Sequence, residues 1–141
     1  GPVHLFASGR RAPDLPGRQR TLYALPDDEL VAELRALGGM PQALLDHAEL
    51  LQLLIPVLRA DLALTDTYVP TPGATLGVPI TVYTGTADDK VNEEEARAWA
   101  RHTSAAFRVR TFPGDHFYLI AGRERVTAAL SDDLRALARA L

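Results

Sequence analysis

Residues 78–119 read VPITVYTGTADDKVNEEEARAWARHTSAAFRVRTFPGDHFYL, and this stretch contains two strand-like runs that are separated by a helical segment. An apolar, β-type run covers 79–83 and ends at Gly85, and a second strand-like run covers 107–112. The segment between them carries helical signals, which predicts a βαβ unit with parallel strands. In open parallel sheets the chemistry lies at the carboxyl ends of the strands. We therefore expect the functional side chains on the two loops that follow these runs.

Each of these loops carries one titratable side chain that is suited to catalysis. Asp88 follows the first strand, and His116 follows the second strand after a Pro-Gly turn. An acid followed by a histidine, each on a post-strand loop, matches the last two members of the Ser…Asp…His order of α/β-hydrolases. The pattern predicts His116 as the catalytic base and Asp88 as the carboxylate that orients it. A turn histidine without a function is the alternative, and the aromatic Phe117 and Tyr118 behind His116 weigh against it.

The neighbouring titratable residues are assigned other roles. Asp89 follows Asp88 directly and is expected to be solvated beside Lys90. Structural or exposed roles are expected for the other histidines, which are His4, His47 and His102. The chain contains no cysteine, which excludes disulfides and thiolate metal sites, and we predict no metal site.

The composition is that of an ordinary soluble globular domain. The chain has 141 residues, of which 47% are hydrophobic and 23% charged, and this length predicts one domain with a buried core. The net charge of -3 gives no reason to expect a nucleic-acid partner. Neither a signal-peptide pattern nor an apolar run long enough to span a bilayer occurs, so we expect a cytoplasmic protein without a membrane partner.

A long helical excursion separates the first predicted strand, 3–7, from the strand at 79–83. The excursion covers about 22–66, and its length of roughly forty residues is far greater than that of an ordinary crossover. This length favours a lid over a pocket lined by leucines such as Leu54 and Leu58. A set of helices that simply form a core is the alternative.

Three helices are predicted with defined bounds. The first covers 26–37 and has Asp27 as its N-cap. The second covers 48–64 and is apolar on nearly every side, so that something must cover it. Pro56 is expected to break or kink this helix, because proline cannot donate a hydrogen bond to the previous turn. The last helix is predicted over 123–141.

Five stretches of the chain resemble the C-terminal portion of type II thioesterases, the α/β-hydrolases that accompany polyketide and nonribosomal peptide synthetases. They are HLFASGRRAP (4–13), LPDDELVAELRALGGMP (25–41), LLIPVLRADLALTDTY (53–68), PITVYTGTADDKV (79–91) and FPGDHFYL (112–119). These stretches are distributed over 4–119, which is most of the sequence, and occur in the family's order. The resemblance implies that 1–141 form the C-terminal part of one α/β-hydrolase domain, with a mostly parallel sheet and an inserted helical lid.

The same resemblance implies a function. Asp88 occupies the position of the triad acid and His116 that of the triad base, within an acid- and base-bearing part at 78–141. Residues 22–66 correspond to the family's lid over the acyl chamber. The family hydrolyses acyl groups from the phosphopantetheine arm of carrier proteins by a Ser-His-Asp mechanism, which clears stalled or misprimed synthases. The implied partner is an acyl or peptidyl carrier protein, and no cofactor is implied beyond the arm that carries the substrate.

The nucleophile is the one departure from the family pattern. No G-x-S-x-G motif occurs in the chain, and Ser8 and Ser104 do not lie on a strand-to-helix elbow. The nucleophilic serine is therefore expected upstream of Gly1, on an N-terminal segment. Two alternatives stay open, namely a non-catalytic module that docks carrier proteins and another α/β-hydrolase such as an esterase.

Overall fold

A computed structural model describes residues 1–16, 21–71, 73 and 75–140. The chain divides into two compact units, which are Gly1–Leu15 with Thr71–Leu141, here the α/β unit, and Pro16–Pro70, here the helical unit. No helix within the described ranges combines the length and the apolar character that crossing a membrane requires.

The α/β unit contains a parallel sheet with the order β1-β2-β3 in the described residues. The strands are β1 (Leu5–Ser8), β2 (Ile80–Gly85) and β3 (Phe107–Phe112). Every residue of the central strand β2 is buried, and the register aligns Ile80 with Leu5 on one side and Phe107 on the other. Because the three strands are parallel, their carboxyl ends lie at the same edge of the sheet.

The predicted βαβ unit is confirmed, with small shifts in its bounds. The strand β3 has the predicted bounds, whereas β2 covers Ile80–Gly85 rather than 79–83. Outside this unit, β1 covers Leu5–Ser8 rather than 3–7. The crossover helix α4 (Glu93–Arg97) continues as a 3-10 helix to His102. It begins with a capping box, in which the side chain of Asn92 accepts a hydrogen bond from the backbone N–H of Glu95.

Apolar side chains cover both faces of the sheet. On one face Ile80 and Val82 pack with Ala96 of α4. On the other face Tyr83 packs with side chains of α5 (Tyr118–Ala121) and α6 (Arg123–Ala140). The alternation along β2 follows from the pleat of a strand, which points successive side chains to opposite faces. The predicted end of the last helix at Leu141 lies outside the described residues.

The helical unit contains α1 (Asp27–Leu37), α2 (Gln42–Leu45) and α3 (Ala48–Thr67). The prediction of Asp27 as the N-cap of α1 is wrong, because Pro26 occupies that position and Asp27 is the first helical residue. The carboxylate of Asp27 instead accepts a hydrogen bond from Arg59 of α3 at 2.6 Å. This ion pair engages Oδ1 of Asp27 with a side chain of α3 instead of with the backbone of α1.

Pro56 does not break the helix, so this half of the prediction is wrong, whereas a kink at Pro56 stays a prediction. Helix α3 continues through Pro56 as one helix of 20 residues. A proline in a helix interior removes one backbone hydrogen bond. In α3 the buried side chains of Leu51 and Ile55 anchor the turns on the N-terminal side of that position, and tertiary packing of this kind supplies most of a helix's stability.

The buried leucines of the helical unit pack on one another. The cluster consists of Leu30, Leu34, Leu45, Leu51 and Ile55. Leu58 packs against this cluster, and its place in a pocket lining stays a prediction. A different side of α3 is exposed and carries Leu50, Leu53, Val57 and Leu64. The role of this segment as a lid stays a prediction.

Candidate active site

The carboxylate of Asp88 lies against the imidazole of His116. The Nδ1 atom of His116 is 3.0 Å from Oδ2 and 3.1 Å from Oδ1 of Asp88. The side chain of Asp88 is 0% exposed, whereas that of His116 is 27% exposed. Because a carboxylate only accepts, Nδ1 carries the proton and Nε2 keeps a lone pair that can take up another. The predicted convergence of the two side chains is confirmed, and their catalytic role stays a prediction.

The turn that carries Asp88 fixes its carboxylate. The Oδ1 atom accepts hydrogen bonds from the backbone N–H groups of Lys90 at 2.8 Å and of Val91 at 2.9 Å. Aspartate favours turns for this reason, since its side chain can bond to the backbone two or three residues ahead. The backbone N–H of Ala87 donates to the carbonyl of Gly114 at 2.8 Å, which joins this turn to the loop of His116. The orientation of Asp88 is thus set by backbone groups.

Close backbone approach brings the His116 loop to the end of β2. A Cβ atom at Gly85 would lie 2.3 Å from the carbonyl oxygen of Asp115 and 2.5 Å from that of Gly114. No side chain fits there, so glycine is required at this position. Gly114 has a φ of 132°, and a Cβ atom on it would lie 3.1 Å from the Cβ atom of Tyr118. Two glycines therefore allow the tight turn that delivers His116 to Asp88.

The carboxyl end of β1 lies on another side of the imidazole. Gly9 has a φ of 57°, and a Cβ atom on it would lie 3.4 Å from Cε1 of His116. The preceding Ser8 forms a hydrogen bond of 2.6 Å between its Oγ atom and the hydroxyl of Tyr118. Sequence patterns alone do not predict this contact of Ser8 with Tyr118. The signal that could have indicated it is the position of Ser8 and Gly9 at the end of a strand in the same parallel sheet.

The predicted role of Asp89 is confirmed. Its side chain is 71% exposed, and one oxygen lies 2.9 Å from Nζ of Lys90. The hydrogen bond from Lys90 is the main cause that lowers the pKa of Asp89 below its usual value. Asp89 is therefore paired in solvent, whereas its neighbour Asp88 contacts the imidazole.

The other histidines have structural partners. The pairs are His4 with the hydroxyl of Thr81, His47 with the backbone N–H of Leu50, and His102 with the carboxylate of Asp14. None of these histidines contacts Asp88 in the part of the chain that the structure describes. Within the same residues, no group of three His, Asp or Glu side chains is placed to hold a metal ion.

Neither serine considered above is placed as a nucleophile. Ser104 precedes β3, and its hydroxyl bonds to the carbonyl of Leu76 at 3.4 Å, at the end of the sheet opposite His116. The hydroxyl of Ser8 bonds to Tyr118, and among the described residues no hydrogen bond joins it to His116. The arrangement therefore brings a carboxylate and an imidazole together, and the position of the nucleophile upstream of Gly1 stays a prediction.

A cavity of about 530 Å³ opens near the same loop but does not include the acid–base pair. Its lining consists of Phe112, Pro113, Ile120, Ala121, Gly122, Arg123, Glu124 and Arg125. Because neither Asp88 nor His116 lines it, this cavity is not the place where the imidazole would meet a substrate.

Comparison with known proteins identifies the family. The model of the family described as thioesterase domain matches residues 1–134. The chain belongs to this thioesterase family. It is 37% identical over 134 residues to the gramicidin S biosynthesis protein GrsT of Aneurinibacillus migulanus, a match that covers 95% of this chain and 52% of GrsT. It is 38% identical over 133 residues to the thioesterase PikA5 of Streptomyces venezuelae, covering 94% of this chain and 47% of PikA5.

The thioesterase chain also resembles solved structures over nearly its whole length. The crystal structure of ClbQ from the colibactin NRPS/PKS pathway superposes with a TM-score of 0.89 at 32% identity. The match covers 99% of this chain and 59% of ClbQ. The predicted fold class, part of an α/β-hydrolase with a parallel sheet, is confirmed. The chain spans about half the length of the curated relatives that it matches.

Proposed function

We propose that these residues form the acid–base part of a serine-type thioesterase. Its substrates are acyl groups on the phosphopantetheine arm of carrier proteins of a polyketide or nonribosomal peptide synthase. The observation that carries the proposal is the pair of Asp88 and His116, with Nδ1 of the imidazole 3.0 Å from a buried carboxylate oxygen. Membership of the thioesterase family favours a thioester over an ordinary ester.

The proposed reaction uses His116 as a proton shuttle in two steps. Its Nε2 atom takes the proton of a serine hydroxyl from an N-terminal segment, while the serine oxygen bonds to the acyl carbon. The carbon–sulfur bond then breaks, and the imidazolium returns the proton to the leaving thiolate of the arm. Nε2 next takes a proton from water, whose oxygen attacks the acyl-serine, and the proton passes to the departing serine oxygen. Asp88 stays ionised and stabilises the imidazolium in both steps.

The partners and location follow from the same proposal. A carrier protein presents the acyl group, and the complete enzyme acts in the cytoplasm without a cofactor of its own. The names of the relatives support this context, since one is a gramicidin S biosynthesis protein and another a thioesterase. A carrier-docking module without turnover and a general esterase remain the competing functions.

Hydrolysis assays distinguish these functions. We expect residues 1–141 alone to hydrolyse neither a short acyl thioester nor an acyl carrier protein. Joined to a segment that supplies the serine, they should hydrolyse both. In that complete protein His116→Ala should lower kcat by about 10³-fold or more. His102→Ala is a matched control, because His102 also bonds a carboxylate, that of Asp14, at 2.7 Å. It should leave kcat unchanged.

The other outcomes each contradict one part of the proposal. Turnover by the isolated chain that depends on His116 would show that it contains its own nucleophile. Equal rates on matched oxygen esters and thioesters would favour an esterase. Carrier binding without any hydrolysis by the complete protein would favour the docking module.

A further inference from the structure

The imidazole of His116 lies between two chain segments that are distant in sequence. One is its own loop, and the other is the turn after β1, where a Cβ atom on Gly9 would lie 3.4 Å from Cε1 of His116. The turn is held to the sheet, since the backbone N–H of Gly9 donates to the carbonyl of Tyr83 at 3.0 Å. The distance between the His116 loop and the turn after β1 therefore limits how far the imidazole can move.

Tyr118 is placed to set that distance. It follows His116 by two residues and is 0% exposed. Its ring stacks on Phe112, the last residue of β3, with centroids 5.6 Å apart and planes 3° from parallel. The hydroxyl of the ring reaches Ser8 at the end of β1, with 2.6 Å between the two oxygen atoms.

We propose that the hydroxyl pair of Ser8 and Tyr118 is a positioning device for His116. It links the carboxyl end of β1 to the loop that carries the imidazole. The link keeps Nδ1 hydrogen-bonded to the carboxylate of Asp88 while Nε2 accepts and returns a proton. Neither residue touches the reacting atoms, and both act through His116. The kinetic part of this inference rests on the proposed function above.

The protonation state of the Tyr118 hydroxyl favours a hydrogen bond to Ser8 that persists at neutral pH. Burial, the largest cause, raises the pKa of Tyr118, and the nearby charge of Asp88 raises it further against the opposing bond from Ser8. The hydroxyl therefore remains protonated at neutral pH and one hydroxyl always donates to the other. An ionised phenolate beside the Asp88 carboxylate would instead repel it.

The kinetic test uses the complete, active protein and four variants. Ser8→Ala and Tyr118→Phe each remove one hydroxyl, and each should lower kcat by about 3- to 10-fold with KM changed less than about 2-fold. The double variant should be no slower than either single variant, because both remove the same bond. Ser8→Thr keeps a hydroxyl at this exposed position and should have the kcat of the wild-type enzyme.

Tyr83→Phe is the matched control. Tyr83 is also a buried tyrosine that contacts Phe112, and its hydroxyl also makes a bond of 2.6 Å, but to Asp133. This variant should unfold more easily yet keep the kcat of the folded enzyme. An equal loss of kcat in Tyr83→Phe and Tyr118→Phe would overturn the proposal, because any weakened core would then suffice.

A spectroscopic readout tests the inference without activity. The proton on Nδ1 of His116 should give a downfield ¹H NMR signal that His116→Ala removes and so assigns. Ser8→Ala and Tyr118→Phe should shift or broaden this signal, and Tyr83→Phe should not. An unchanged signal in both hydroxyl variants would overturn the proposal. Failure of the wild-type protein to hydrolyse thioesters would contradict only the proposed function. The NMR signal would still report whether the hydroxyl pair of Ser8 and Tyr118 positions His116.

Discussion

Two carboxylates of the α/β unit are almost completely buried, and they differ in their partners. The side chain of Asp133, on α6, is 9% exposed and that of Asp88 is 0% exposed. Asp133 bonds to the hydroxyl of Tyr83 at 2.6 Å and to the guanidinium groups of Arg108 and Arg110. Asp88 bonds to backbone N–H groups and to the imidazole of His116.

The partner of a buried carboxylate determines whether the carboxylate can take part in proton transfer. Arginine does not lose its proton in proteins, and burial together with the bond to Asp133 raises the pKa of Tyr83 to about 12. The Asp133 cluster therefore keeps one protonation state and acts as a clamp between α6 and the sheet. Histidine gains and loses a proton under mild conditions, so the Asp88 pair can take part in a reaction.

The largest expected effect is on catalysis, in Asp88→Asn. The oxygen of the new amide would keep the bonds to the N–H groups of Lys90 and Val91, which places the NH₂ group opposite Nδ1 of His116. The amide then donates to Nδ1 and moves the ring proton to Nε2, which can no longer act as a base. We expect kcat of the complete enzyme to fall by about 10³- to 10⁴-fold with little loss of stability. A kcat within about tenfold of wild type would contradict the assignment of Asp88.

The second effect is on stability, in Asp133→Asn. This change leaves the guanidinium groups of Arg108 and Arg110 without their buried counter-charge. The free energy of unfolding should fall by about 1–2 kcal/mol, less than for a fully buried ion pair, because the side chain of Arg108 is 52% exposed and that of Arg110 is 31% exposed. Urea denaturation measures this loss, and kcat of the folded enzyme should not change. A selective loss of kcat would show that the two carboxylates do not have separate roles.

The Asp88 pair could be predicted from the sequence, and the Asp133 cluster could not. Asp88 and His116 each follow a strand of a βαβ unit, so local pattern and sheet topology suffice to bring them together. Asp133 lies on α6, and which side of this helix faces the sheet depends on tertiary packing. The residues next to Asp133 in the sequence do not identify Tyr83 as its partner. For the same reason the leucine pattern of α3 predicts an apolar helix, but it does not predict that Leu51 and Ile55 pack against side chains of α1 and α2.

The third effect is on the pH dependence of stability. It has opposite signs for Asp133 and Tyr83, the two titrating residues of the cluster. Burial would raise the pKa of Asp133, but hydrogen bonds from Tyr83, Arg108 and Arg110 outweigh it and lower the pKa. Its contribution is present above the unfolded-state pKa of about 4 and is lost as pH falls through the lower folded value. The raised pKa of Tyr83 gives a contribution that is complete below about pH 10 and is lost as pH rises towards 12.

Midpoints of urea denaturation measured as a function of pH check both the acid limb and the alkaline limb of the stability curve. Asp133→Asn should flatten the acid limb, and Tyr83→Phe should flatten part of the alkaline limb, since Tyr118 also has a raised pKa. The opposite pattern, in which Tyr83→Phe alone flattens the acid limb, would contradict the clamp.

The smallest expected effect is in Asp89→Asn, which sharpens the assignment of the residue beside it. Asp89 and Asp88 have the same side chain and adjacent positions, so a role that depended only on a negative charge near His116 would be shared by both. The carboxylate of Asp89 is solvated and paired with Lys90 at 2.9 Å. We therefore expect kcat within about 2-fold of wild type, as for most surface substitutions. If Asp89→Asn instead reduced kcat as strongly as Asp88→Asn, the acid would act through its field rather than through the bond to Nδ1. The oriented hydrogen bond would then no longer explain the site.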